Sequence, residues 1–149
     1  MPQIDVIPAV PGDRGVLERL LELYSYDFSE IVGRDVDAAG VYGYRHLDLY
    51  WTEPGRAPFL IRVDGHWAGF ALVRSGEPHD MAEFFVMRKY RHGGIGRTAA
   101  ANVIGRFPGR WQIRQVPANQ PAIAFWRTVI PAEFDESLID GFVTQRFTV

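Results

Sequence analysis

The 149-residue sequence contains no cysteine. That excludes disulfides, thiolate metal sites and a cysteine nucleophile, and it leaves the redox compartment open. No apolar run approaches the roughly 20 residues of a membrane-spanning helix. The opening residues, Met1-Pro2-Gln3-Ile4-Asp5, have neither the basic region nor the apolar stretch of a signal peptide. A soluble, cytoplasmic protein without a membrane partner is the expectation. An excess of one charge is also missing. Lys and Arg number 16 against 18 Asp and Glu, a formal net charge of −2, which argues against a general nucleic-acid binder. His46, His66, His79 and His92 show no metal-ligand spacing and read as ordinary turn or surface residues. Internal repeats and low-complexity segments are absent.

What is present fits one domain spanning 1–149. A chain of this size buries roughly 70% of its unfolded surface and needs no covalent staples. Residues 3–8 read as a short strand. Asp13 is a candidate helix cap, and Leu17, Leu20, Leu21, Tyr24, Phe28 and Ile31 follow at the spacing of an amphipathic helix ended by Gly33. Residues 34–58 form a long irregular connection with a short helix from about Tyr44 to Trp51. Loops of this length inside a domain are usually functional or mobile. Strands at 59–63 and 67–73 flank the turn signal Asp64-Gly65. A strand at 81–87 leads through a glycine turn into a helix reaching about Arg106. A strand at 111–116, a helix of which Ala122, Phe125, Trp126 and Val129 form one face, and a closing hairpin around Asp140-Gly141 complete the chain. Hairpin-linked strands imply antiparallel pairing, and the strand–helix–strand from 81 to 116 implies one parallel pair. The fold class is α+β, a mixed, mostly antiparallel sheet of about seven strands flanked by about four helices.

The glycine turn is Arg91-His92-Gly93-Gly94-Ile95-Gly96-Arg97. A helix start has unpaired N–H groups and a positive dipole end, and glycines let an anion approach them. Three phosphate ligands compete. A P-loop requires Gly-Lys-Ser/Thr, and here Gly96 is followed by Arg97 and Thr98. A dinucleotide fingerprint fits Gly94-Ile95-Gly96-Arg97-Thr98-Ala99, but the next strand ends Arg114-Gln115-Val116-Pro117 with no acid for a ribose.

The third fits better. Arg91, Gly94 and Gly96 resemble the Gln/Arg-x-x-Gly-x-Gly/Ala acyl-CoA-binding motif of the GNAT acetyltransferases. Downstream, Asn119-Gln-Pro-Ala122-Ile-Ala-Phe125-Trp126 is similar to that family's Asn-x-x-Ala-x-x-aromatic-Tyr segment. The element order agrees over nearly the whole chain. The resemblance implies acetyl-CoA as co-substrate, with no metal. It implies a pyrophosphate over Gly93, Gly94, Ile95 and Gly96, with His92 beside it and positive charge from Arg91, Arg97 and Lys89. It implies pantetheine along the main chain of Phe85, Val86 and Met87, and Asn119, Phe125 and Trp126 on the far wall. Asn119 also reads as a helix cap.

Acyl transfer to an amine needs a base, and Glu83 and Asp80 are the candidates. Glu83 has a second reading, as a strand carboxylate paired with an arginine. Asp80, beside Pro78 and His79, reads as a solvated turn residue. Trp126 stands where the family carries a tyrosine acid, and Tyr24, Tyr42, Tyr44 and Tyr50 are alternative donors. The resemblance places the acceptor against the first helix and residues 34–58. Tyr24, Asp27, Glu30, Tyr44 and Trp51 there suit a small-molecule or peptide amine through ion pairing and cation–π contact. An acyl-CoA-binding sensor or interaction module without turnover is the alternative, and a homodimer is left open.

Overall fold

The computed structural model describes residues 1–149. Seven strands form one sheet in the order β1-β2-β3-β4-β5-β7-β6. The strands are β1 (Ile4–Pro8), β2 (Arg56–Val63), β3 (His66–Arg74), β4 (His79–Val86), β5 (Arg110–Gln115), β6 (Phe134–Ile139) and β7 (Phe142–Thr148). Four helices flank it: α1 (Arg14–Val32), α2 (Leu49–Thr52), α3 (Ile95–Gly105) and α4 (Gln120–Val129). Every neighbouring pair is antiparallel except β4 and β5. This is the α+β architecture that the sequence pattern implies. None of the helices is long and apolar enough to cross a membrane.

Alternation along the strands sorts the core into two layers. Phe59, Ile61 and Val63 face α3 and α4, meeting Ala99, Ala100, Val103 and Trp126. Leu60, Phe70, Leu72 and Phe85 face the other way, meeting Leu17, Leu20 and Leu21 of α1. The α1 stripe is the one its spacing predicts, and Gly33 ends the helix in the left-handed conformation, φ +67°. Both Asp-Gly turns are tight hairpins with positive φ at Asp64, Gly65, Asp140 and Gly141.

Three local expectations change. Asp13 does not cap α1 with its side chain; its carboxylate accepts from Val10 N–H at 3.0 Å in a preceding single turn. The predicted helix from Tyr44 shrinks to Leu49–Thr52, with turns before it. Strand β4 begins at His79, directly after Pro78, which is a legal residue just before a strand. Asp80 is therefore a buried strand residue, 6% exposed, and not a solvated turn.

The 34–58 connection is tied down at its middle. Glu22 of α1 accepts from Tyr42 N–H and Gly43 N–H, both at 2.8 Å. Arg34 donates to the carbonyls of the same two residues at 2.6 and 2.9 Å. Glu22 lies on the polar face of α1 by its spacing, yet its carboxylate sets where Tyr44 enters the structure.

Candidate active site

Strands β4 and β5 pair at only two positions, His79 with Trp111 and Asp80 with Gln112. Beyond them the two strands part, although β4 runs on to Val86 and β5 to Gln115. A cleft of about 470 Å³ occupies the gap and the space beneath α1 and α2. Tyr24, Tyr44, Tyr50, Asp80, Glu83, Asn119 and Trp126 all line it.

The parted edge of β4 has a defined polarity. Gly69 of β3 stands opposite Val86, and Met87 N–H donates to Ala68 carbonyl at 2.8 Å. In an antiparallel ladder that pattern makes Gly69–Val86 a non-hydrogen-bonded pair. Val86 main chain therefore points away from β3, into the gap. The main chain of Phe85 and the N–H of Met87 are turned to β3 instead, and Met87 carbonyl accepts from Tyr90 N–H at 2.9 Å, which narrows the edge expected for pantetheine pairing to Val86. Its carbonyl accepts from Arg91 Nε at 2.7 Å, so its N–H is the open donor.

The helix start of α3 lies just past this edge. Gly94 caps it in the left-handed conformation, φ +80°, and Thr98 N–H makes the first intrahelical bond, to Gly94 carbonyl at 3.0 Å. The N–H groups of Ile95, Gly96 and Arg97 precede that bond and have no helical partner. His92, Gly93, Gly94 and Arg97 are exposed there, and a Cβ added at Gly93 or Gly94 would meet open space. At Gly96 a Cβ would come within 2.9 Å of Phe125 Cε1, so the glycine is what lets α4 close against α3. Phe125 in turn stacks on Phe84, and Trp126 meets both rings edge-on. The donors, open surface and cations of this start fit a pyrophosphate.

Arg91 is placed differently from expectation. Its guanidinium is committed to Val86 carbonyl and to Asp27, at 2.6 Å, while Arg88 holds the other Asp27 oxygen at 2.5 Å. Burial alone would raise the Asp27 carboxyl, but the Arg91 and Arg88 hydrogen bonds outweigh it and hold it below the ordinary value. Asp27 thus braces the α3 approach and does not line the cleft. Glu30 is exposed, and Trp51 donates its indole N–H to Ala9 carbonyl at 3.0 Å and packs in the α1 layer. Of the five expected acceptor residues, only Tyr24 and Tyr44 face the cleft.

Glu83 and Asp80 have opposite surroundings. Asp80 accepts from Arg74 at 3.0 Å and Arg114 at 3.1 Å. Glu83 has no salt-bridge partner; it stands two residues before Phe85, so it shares the α1 face of the sheet with Tyr24. Burial pushes its carboxyl up to about 7, and the nearby Tyr24 hydroxyl offsets part of that rise. Burial also raises the Tyr24 phenol well above its ordinary value, with the Glu83 charge adding to it. Tyr44 and Tyr50 are raised as well, by burial first. The fourth candidate donor, Tyr42, lies apart and contacts Ser29 Oγ at 3.2 Å. Asn119 does cap α4, accepting from Ala122 N–H at 3.2 Å, while lining the cleft.

The sequence reading missed the cleft's cations, Arg56, Arg74 and Arg114. Counting back from the Asp64-Gly65 turn would have put Arg56 near Arg74, and the two are indeed paired across β2 and β3.

The acetyltransferase (GNAT) family pattern matches residues 17–129. The chain belongs to the GNAT family of acetyltransferases. That match spans α1, the parted strands, the glycine turn and α4, so the cleft lies within the part of the chain that the family pattern covers. No curated protein matches the chain in sequence. Among solved structures, an acetyltransferase from Thermus thermophilus superposes with a TM-score of 0.80 at 18% identity, covering 99% of this chain and 97% of that one. The PaiA N-acetyltransferase of Thermoplasma acidophilum, solved in complex with coenzyme A, gives 0.68 at 12% identity over 99% of each chain. The ribosomal-protein-S18-alanine N-acetyltransferase of Escherichia coli gives 0.67 at 14% identity, covering 98% of this chain and 94% of that one. At these identities the superpositions report the GNAT fold.

Proposed function

We propose that this GNAT protein moves an acetyl group from acetyl-CoA directly to a primary amine of a small molecule or peptide, both substrates being bound together. The observation that carries the reading is the placing of Glu83, with its carboxyl raised to about 7, three residues before the open Val86 N–H on one strand. Acetyl-CoA, when bound, supplies the activated acyl group and the thiol leaving group. The N–H groups of Ile95, Gly96 and Arg97, with Arg97 and Lys89 nearby, hold the pyrophosphate. Val86 N–H pairs with the acyl-bearing arm and polarises its carbonyl. Arg91 takes no direct part in that contact; tied to Asp27, it holds the strand end in position.

Glu83 takes the proton that an ammonium must lose before it attacks. A carboxyl near 7 is half ionised at neutral pH and is a far better acceptor than an ordinary glutamate. Asp80 is already committed to two guanidiniums, which leaves Glu83 the freer of the two candidates. Trp126 cannot act as an acid near neutral pH. Tyr24 Oη holds its proton and stands beside Glu83, which makes it the favoured donor among the tyrosines.

Thiol release from acetyl-CoA across a panel of amines tests the reading. Turnover with at least one amine, lost in Glu83→Gln, is the expected result. Trp126 in place of the family's tyrosine favours one rival, an acyl-CoA sensor. Thermal stabilisation by acetyl-CoA with no thiol release from any amine would establish that rival. No stabilisation at all would count against both.

A further inference from the structure

Three arginines, Arg56, Arg74 and Arg114, line the cleft beside two acids, Asp80 and Glu83, and Glu53 reaches Arg56 from outside it. Asp80 is shared between Arg74 and Arg114. Arg56 stands directly across β2 and β3 from Arg74, a pairing of like charges that is destabilising without an anion between them. Its closest acid is Glu53, half-exposed at the rim, 3.4 Å from Arg56 Nε and outside hydrogen-bond geometry. The guanidinium, with a side chain only 15% exposed, lies over the Tyr50 ring at 5.4 Å.

A second observation points the same way. Tyr50 is 3% exposed, lines the cleft, and its hydroxyl has no hydrogen-bond partner. Tyr44 is near but makes no bond of ordinary geometry to it. Arg56 Nε is buried and makes no hydrogen bond either, its ion-pair partner Glu53 standing 3.4 Å away. A buried N–H and a buried O–H left without hydrogen-bond acceptors are costly, and both belong to residues that line the same cavity. What they lack is an acceptor oxygen, and the surrounding charge asks that it be anionic.

We propose that the amine acceptor is a small amino acid whose free carboxylate is bound by Arg56, Arg74 and the Tyr50 hydroxyl. The proposal rests on the acetyl-transfer reading for the fate of the amine. Leu72 is the residue opposite Glu83, and Arg74 lies two residues further along β3. That is about 7 Å of strand, a span that an arginine side chain and a short amino acid bridge together. A guanidinium fork matches a carboxylate in a way no amide or alkyl group does. Dicationic amines, which acidic residues on α1 and the following loop would suit, meet a wall of arginines instead.

Titration calorimetry on the coenzyme A-saturated protein tests this. The probes are glycine, β-alanine, γ-aminobutyrate and larger α-amino acids, each beside its own carboxamide. At least one amino acid should bind about tenfold or more tightly than its carboxamide. Arg56→Gln should erase that preference, and Tyr50→Phe, which removes only one hydroxyl, should weaken it. The proposal is overturned by equal or tighter carboxamide binding, by binding of no member, or by an Arg56→Gln protein that keeps the preference. Thiol release separates this from the transfer reading. Carboxamides that turn over without any carboxylate preference leave acetyl transfer standing and remove the amino-acid acceptor. Carboxylate-selective binding with no thiol release from any amine leaves the carboxylate site standing and removes acetyl transfer, and with it the role of the amino acid as acceptor.

Discussion

Glu83 on β4 and Tyr24 on α1 line the same cleft, and each shapes the other's ionisation. The carboxylate helps keep the phenol protonated, and the phenol limits how far burial raises the carboxyl. An acid and a base at one point, with separated proton affinities, are what a proton-coupled acyl transfer uses. The pair comes from elements about sixty residues apart, and only the packing of α1 on the sheet joins them.

The rate should follow Glu83. With its native value near 7, kcat/KM should rise with pH through that region. Glu83→Gln should lower kcat by about a hundredfold or more and flatten that limb. Rate–pH profiles of both proteins at saturating acetyl-CoA make the comparison.

The same residue should mark the stability profile. Its native value lies above the ordinary 4.5, so the native state holds a proton that the unfolded chain releases. Its effect on stability is most favourable below 4.5, declines between 4.5 and about 7, and is level above that. Thermal melts should therefore show Glu83→Gln gaining on the parent protein across that window, with little difference in acid.

Removing the Tyr24 hydroxyl should act on Glu83 as well as on turnover. In Tyr24→Phe the carboxyl loses the group that holds it down, so the kinetic limb should move to higher pH while kcat falls. An unmoved limb would show that the two groups are not coupled.

Gly96→Ala tests the contact between α3 and α4. The new methyl meets the Phe125 ring, which is held against Phe84 and Trp126 and has little room to give. Overpacking of this kind costs roughly 1–3 kcal/mol. Urea denaturation should show that loss, and Phe125→Leu in the same chain should restore part of it.

Asp27 should behave as a brace for Arg91 and Arg88. Asp27→Ala should cost about 1 kcal/mol near neutral pH, the discounted worth of a partly exposed ion pair. The Asp27 carboxyl lies below its ordinary 3.8, so its contribution is complete above 3.8 and fades as acid protonates the native carboxyl. The deficit should therefore close in acid. Acetyl-CoA affinity should weaken with it, because Arg91 holds Val86 carbonyl.

Local signals in the chain were enough to specify the sheet, the three longer helices and the glycine-rich start of α3. Those signals are the period-two strands, the α1 stripe, the Asp-Gly turns, and Gly94 and Gly96 ahead of α3. The place of Glu83 on the strand that leads into the glycine turn was also legible. Which charges meet was settled only by packing. Asp27, Asp80 and Glu83 are three similar carboxylates in the sequence. One is committed to Arg88 and Arg91, one is clamped by Arg74 and Arg114, and one is left half-buried without a salt-bridge partner. Arg56 and Arg74, by contrast, are neighbours through the hairpin register, which counting from the Asp64-Gly65 turn already suggests. A carboxylate's proton affinity and a guanidinium's need for a partner depend on burial and on neighbours a few ångströms away, and those neighbours come from distant parts of the chain.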